Sequence, residues 1–210
     1  MPLLLSRELD NGLRLGVWQI REPEPWFLQQ VHMNAEESQE LSLLRSRDKR
    51  EQRLAYRMVL SALLKPARFS ISYDEHRKPY LHGYPGHISV SHSCEMAAAI
   101  YHPLQPVGID IEKVSPRLLP LTDKFVALSE CLEISGDRSD EVLTLLWSAK
   151  EALYKMDGKR GLHFNRDLIV QGLAARAQGK LRGQVMRGIH TGEHPLAWEK
   201  LGDYVMVHTL

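Results

Sequence analysis

Apolar positions along this chain follow two different periods, and the changes between them mark the predicted elements. From Asn34 the spacing is helical. Asn34 with Glu37 three residues on forms a capping box. Leu43, Leu44, Leu54, Val59 and Leu63 make a broken apolar stripe that Pro66 ends. The same helix carries Arg45, Arg47, Arg50, Arg53 and Arg57. After a turn-rich stretch over 72–86, residues 87–91 and 97–101 read as strands. Pro103 and Pro106 bracket a short connection into a third strand over 107–113. A Pro-rich piece, 115–120, leads to a helical region over 122–134, a polar loop over 135–140 and a strong helix over 142–156 that Gly158 and Gly161 end. Beyond it, glycines at 172, 179, 183, 188, 192 and 202 punctuate short strands joined by turns. Helices mixed with antiparallel-looking strands, without a regular βαβ rhythm, predict an α+β fold.

Composition narrows the classes of function. With 210 residues, 43% of them apolar, the chain can bury a core as one large domain or two small ones. Lys and Arg number 27 against 26 Asp and Glu, so no global positive field draws it to nucleic acid or anionic lipid, and any anion site must come from local placement. Cys94 and Cys131 have no CxxC spacing, which argues against a disulfide scaffold or a structural zinc. The apolar run after Met1 is too short for a signal peptide, and no stretch approaches the roughly 20 apolar residues of a membrane span. The expectation is a cytoplasmic protein without nucleic-acid or membrane partners.

Three motifs carry possible chemistry. In an extended Val107-Gly-Ile-Asp-Ile-Glu112, Val107, Ile109 and Ile111 share one face, and Gly108, Asp110 and Glu112 share the other. Two carboxylates side by side repel, and a hard divalent cation such as Mg²⁺ relieves that repulsion while accepting substrate phosphates as further ligands. A DxE pair also fits a solvated strand face. In Trp147-Ser-Ala-Lys-Glu-Ala-Leu-Tyr-Lys155, the residues Leu145, Ala149, Ala152, Leu153 and Met156 form a core stripe. Trp147, Glu151 and Lys155 form a neighbouring one, with Lys150 and Tyr154 beside it. Taken alone, Glu151 and Lys155 are equally an ordinary exposed i,i+4 pair. The strand ending Ser89-Val-Ser-His-Ser93 sets Ile88, Val90 and His92 opposite its serines; His92 is either a structural histidine or, at the strand end, a phosphate contact. A GxSxG elbow, a GxxxxGK[ST] loop and a GxGxxG turn are all absent.

In combination and in order, Arg53, Arg77-Lys78-Pro79, Ser89-Val-Ser-His-Ser93, Gly108-Ile-Asp-Ile-Glu112, Trp147-Ser-Ala-Lys-Glu151 and Gly158-Lys-Arg-Gly-Leu162 resemble the phosphopantetheinyl transferases, in their larger single-chain, surfactin-synthetase-activator branch. The resemblance spans roughly residues 47 to 162. It implies two similar α+β halves, 1–106 and 107–210, with coenzyme A in the cleft between them and a monomer as the working form. It implies Mg²⁺-dependent transfer of 4′-phosphopantetheine from coenzyme A to a serine of an apo acyl or peptidyl carrier protein, with loss of adenosine 3′,5′-bisphosphate. Asp110, Glu112 and Glu151 resemble the metal carboxylates, with Glu151 also the general base. By the same resemblance Lys155 would balance the pyrophosphate as a catalytic and binding residue, and Lys150 would reach the phosphates. His92 and Arg53 resemble contacts to the nucleotide end with its 3′-phosphate, Lys78 the adenosine-side lysine, and Ser91 a pocket residue. The helix over 122–134, with Lys124 and Phe125, resembles the region offered to the carrier; Phe125 and Leu128 also suit plain core positions. Where the family often has Gly-Lys-Pro, Arg77 precedes Lys78-Pro79, so that turn must form without glycine. Two other readings fit the same residues: a Mg²⁺-dependent phosphohydrolase acting on coenzyme A or a nucleotide, and a non-catalytic coenzyme A-binding homologue.

Overall fold

A computed structural model describes residues 3–9, 11–65, 68–134, 139–173 and 178–210. The chain is α+β and divides into two compact units, Met1–Pro106 and Val107–Leu210.

The first unit contains β1 (Leu3–Glu8), β2 (Arg14–Gln19), α1 (Glu24–Gln30), α2 (Ala35–Ser42), α3 (Arg47–Leu63), β3 (Ser70–Tyr73), β4 (Pro79–His82), β5 (His87–Ser93) and β6 (Met96–His102). Its antiparallel sheet runs β1-β2-β6-β5, and β3 and β4 form a separate hairpin. The face of the sheet that carries Trp18, Ile88, Ala97, Ala99 and Tyr101 packs with Leu54, Ala55, Val59 and Leu60 of α3 into one core.

The single helix expected from Asn34 is two helices. Asn34 forms the capping box with Glu37, but the chain leaves the helix after Ser42. Ser46 then caps α3 by accepting from Lys49 N. Leu43 is exposed for this reason and drops out of the apolar stripe. The expected stop, Pro66, lies outside the described residues. The arginine row has a structural use: Arg50 pairs with Glu24 (2.8 Å), Arg53 with Glu40 and Arg57 with Glu37, so α3 grips α1 and α2 through ion pairs. Arg57 and Glu37 are both buried, and Arg57 also donates to the carbonyls of His32 and Phe69. A buried pair of this kind is costly to break from one side because the other charge is left without compensation.

The second unit holds β7 (Ile109–Lys113), a 3₁₀ turn (Pro116–Leu121), α4 (Thr122–Phe125), α5 (Leu128–Glu133), α6 (Asp140–Asp157), α7 (Phe164–Asp167), β8 (Leu168–Gln171), β9 (Gln178–Arg187), β10 (His190–Leu201) and β11 (Tyr204–Thr209). Its sheet runs β7-β11-β10-β9-β8, entirely antiparallel. The helical region expected over 122–134 breaks at Val126 and Ala127 into α4 and α5. Of the loop expected over 135–140, residues 135–138 lie outside the described residues, and Ser139 caps α6 by accepting from Val142 N. Gly158, at φ 74°, ends α6 in the left-handed conformation that glycine enters without a Cβ penalty. The predicted stripe Leu145, Ala149, Ala152, Leu153 and Met156 is buried against the sheet with Leu181, Leu196, Val205 and Val207. The tail read as short strands holds two of them, β8 and β11, but β9 and β10 form a long hairpin paired from Arg187↔His190 to Gln178↔Glu199. No helix among the described residues is long and apolar enough to cross a membrane. Cys94 and Cys131 are free thiols.

Candidate functional site

The alternation read from the β7 motif puts Gly108, Asp110 and Glu112 on the face toward α6. Asp110 lies opposite Val207 and Glu112 opposite Val205, both of which belong to the core under that helix. Gly108 sets how closely helix and strand approach. A Cβ there would stand 1.9 Å from the Ala152 carbonyl oxygen and 2.9 Å from Met156 N, so only glycine lets the α6 backbone rest on the strand. The glycine of the motif therefore brings Glu151 and Lys155 down to the carboxylates.

Asp110 is buried, and its Oδ1 accepts from Lys155 Nζ at 2.8 Å; the same ammonium donates to Ile109 O at 3.2 Å. Glu112 accepts from Arg117 Nη2 at 2.6 Å. Glu151, one turn before Lys155, is half-buried, and its carboxyl is pushed up to about 7. Burial is the largest cause, repulsion from Asp110 comes next, the Lys155 charge opposes both, and Glu112 adds further repulsion. Glu151 thus sits among like charges, with Asp110 held by Lys155 and Glu112 by Arg117. Hard oxygen donors of this kind suit Mg²⁺, which is commonly held by one or two carboxylates together with substrate phosphates. Among the described residues, no three His, Cys, Asp or Glu side chains are drawn together into a ready-made metal cluster. Asp110 turns to Lys155 and Glu112 to Arg117.

Lys150 is not a surface cation. It is fully buried, and its Nζ donates to Phe125 O (2.7 Å), Glu130 Oε2 (2.7 Å) and Phe164 O (2.9 Å). An ammonium has three N–H donors, and these three oxygens use them all. The expectation that Lys150 reaches a phosphate is corrected accordingly: it ties α6 to α4, α5 and α7. Its position foretells this, since Leu146 and Leu153, four before and three after, are themselves buried and share its helix face. Burial pulls the ammonium pKa down, and the Glu130 charge opposes that shift. Glu130, which no sequence motif singled out, is buried at the centre of this knot and also accepts from Ala127 N (2.7 Å) and Val170 N (2.8 Å). Phe125 is likewise core, edge-on to Trp147 with ring centroids 5.4 Å apart, whereas Leu128 is 88% exposed. Lys124 is exposed on α4.

The other expected site residues lie in the first unit. Arg53 is half-buried; it bonds Glu40 and lies 5.3 Å from the centroid of the Tyr73 ring. Tyr73 pairs with Pro79 at the end of the β3–β4 hairpin, so Arg53 and the turn bearing Lys78 are neighbours. That turn forms without glycine because Arg77 itself takes φ 68°. It is braced by Asp74 Oδ1, which accepts from His76 N (2.9 Å) and Lys78 N (2.8 Å). Gln52 Nε2 donates to Cys94 O at 2.8 Å and holds the Arg53 end of α3 beside the β5–β6 turn that follows His92. On β5 the three serines, Ser89, Ser91 and Ser93, are buried, and His92 is exposed. His92 pairs with Ala97 on the face that carries Ile88 and, at the strand end, leaves the core.

Residues 106–207 match the profile of the 4′-phosphopantetheinyl transferase superfamily. Among curated proteins, the chain is 32% identical over 100 residues to a 4′-phosphopantetheinyl transferase of Bacillus subtilis, covering 46% of this chain and 44% of that one. It is 34% identical over 92 residues to the transferase Sfp of Bacillus subtilis strain 168, covering 42% and 41%. To the transferase AcpT of Salmonella typhimurium it is 32% identical over 111 residues, covering 50% and 57%. The matches thus span about half the length of these relatives. The profile takes in Asp110, Glu112, Glu151 and Lys155 and begins after Arg53, Lys78, Ser91 and His92. It is thus the second half of this chain, residues 106–207, that is similar to the 4′-phosphopantetheinyl transferase superfamily.

Proposed function

We propose that this protein is a 4′-phosphopantetheinyl transferase of the larger single-chain branch, acting as a monomer. It would move the phosphopantetheine arm of coenzyme A to a serine of an apo acyl or peptidyl carrier protein. The observation that carries this reading is the packing of Gly108 under Ala152, which sets Glu151 and Lys155 of α6 against Asp110 in the half of the chain that matches the superfamily.

The serine oxygen forms a bond to the β-phosphorus of coenzyme A, the bond from that phosphorus to the bridging oxygen breaks, and adenosine 3′,5′-bisphosphate leaves with the electron pair. Glu151 takes the serine proton. Without metal its carboxyl is pushed up to about 7, chiefly by burial, and a bound cation would favour the carboxylate form that accepts the proton. Lys155, oriented by Asp110 and Ile109 O, places its charge where negative charge grows on the phosphate oxygens. Asp110, Glu112 and Glu151 would hold Mg²⁺, which when bound neutralises charge on the pyrophosphate. Arg53, Lys78 and His92 are assigned, from the family resemblance, to the nucleotide end, and Ser91 to the pocket. For Arg53 this requires sharing or leaving Glu40. Lys124, with exposed Leu119, Leu128 and Leu132 on the neighbouring helical turns, is offered to the carrier protein.

Intact-mass spectrometry of an apo carrier protein incubated with this protein, coenzyme A and Mg²⁺ tests the reading, with an EDTA control. The expected result is a metal-dependent gain of one phosphopantetheine. Release of phosphopantetheine with the carrier unmodified would overturn it in favour of hydrolysis.

A further inference from the structure

The first unit contains a cavity of about 670 Å³ that the transfer chemistry does not use. Its lining includes His32, Arg57, Lys65, Arg68, Phe69 and His82 and, among the described residues, no Asp or Glu. It sits at the opposite end of the β3–β4 hairpin from Lys78. Ser70 and His82 are the paired residues at the cavity, and Tyr73 and Pro79 are the pair at the Lys78 end.

Charge in this cavity differs in kind from the charge along α3. Arg47, Arg50, Arg53 and Arg57 each have a glutamate partner. Lys65 and Arg68, both exposed, make no ion pair among the described residues. Arg57, on the cavity lining, is neutralised by Glu37 and is structural there. Its bonds to His32 O and Phe69 O fix the two chain segments that carry other lining residues. The local excess of two positive charges therefore rests on Lys65 and Arg68. The end of α3 adds a partial negative charge, but the Leu63 carbonyl is occupied by Arg14 Nη1 at 3.2 Å and the Leu60 carbonyl by Leu64 N at 3.0 Å. Ser61 and Ser70 supply hydroxyls, and Phe69 and Met33 supply apolar wall.

A volume of this size is typical of small-molecule sites and far exceeds a bare phosphate, given that one water occupies about 30 Å³. We propose that this cavity binds a small organic phosphate monoester, its dianion on Lys65 and Arg68 and its organic body against Phe69 and Met33. The site is separate from the residues assigned to coenzyme A and stands or falls without that assignment.

Calorimetric titration of the full chain with phenyl phosphate tests this at low ionic strength, where surface charges are least screened. The comparison probes are inorganic phosphate and phenol. Phenyl phosphate is expected to bind at least tenfold more tightly than either. Lys65→Ala/Arg68→Ala is expected to weaken it tenfold or more, whereas Arg53→Ala/His92→Ala leaves it unchanged. Both cavity side chains are exposed, so the double variant keeps its fold, which circular dichroism verifies; Arg68→Glu gives a second variant in which binding should vanish. No binding of phenyl phosphate, equal binding of inorganic phosphate, or loss only in Arg53→Ala/His92→Ala would each overturn the proposal.

Discussion

Replacing Lys150 by Met removes the ammonium that serves three oxygens, two of them buried, at nearly constant side-chain volume. Glu130 is left with two backbone N–H donors and no counter-charge, and the carbonyls of Phe125 and Phe164 lose a charged donor. Removing one partner of a buried pair costs about 3–5 kcal/mol. The upper part of that range applies here, because both side chains are essentially inaccessible to water and none can readily replace the ammonium. Urea denaturation reads this as a fall in midpoint with the slope retained. In Lys150→Met/Glu130→Gln the stranded charge is gone, and roughly half of the loss should return. The two changes are in contact and must couple, by about 0.5–3 kcal/mol in a double-mutant cycle. A surface phosphate-binding lysine would behave otherwise. If Lys150→Met stays within about 0.5 kcal/mol of the parent and raises the KM for coenzyme A, the burial argument fails.

Two further outcomes follow from the carboxylate site. Without metal, the folded chain holds the Glu151 proton up to about 7, whereas an ordinary glutamate releases it near 4.5. The folded state thus binds the extra proton between those values, and stability falls as pH rises through that window. Glu151→Gln should flatten the fall and abolish transfer with the fold intact; an unchanged pH slope, or near-normal turnover, would remove Glu151 from its assigned place. Gly108→Ala forces a methyl into the Ala152 carbonyl and should cost about 1–3 kcal/mol or more by overpacking. It should also depress transfer beyond any loss of folded protein, measured at a temperature where both proteins are folded; parental stability would show that α6 does not rest on the strand.

Local periodicity was enough to find the elements that frame the carboxylate site. Alternation in Val107-Gly-Ile-Asp-Ile-Glu112 and the α6 stripe both concern residues within a few positions of one another, and burial of one face is decided by that spacing. The caps at Asn34 and Gly158 are local in the same sense. Partners distant in sequence were out of reach. The sequence did not tell that Arg50, Arg53 and Arg57 of α3 meet glutamates of α1 and α2, 13 to 26 residues away. The β9–β10 hairpin was hidden by glycines that sit within its strands: Gly179 and Gly183 lie where Trp198 and Leu153 side chains press against the backbone.

Lys150 marks the boundary between the two kinds of information. Its helix face was legible from Leu146 and Leu153, yet a lysine on an apolar face has two outcomes, to reach water or to meet a buried acid. Only the arrival of Glu130, 20 residues earlier in the chain, decides between them. The sequence by itself determined which residue types could do metal and phosphate chemistry, and the strand and helix that carry them. Tertiary structure decided which charges remain available for that chemistry, because a charge in a folded protein is either solvated, paired or displaced in pKa, and its partners come from anywhere along the chain.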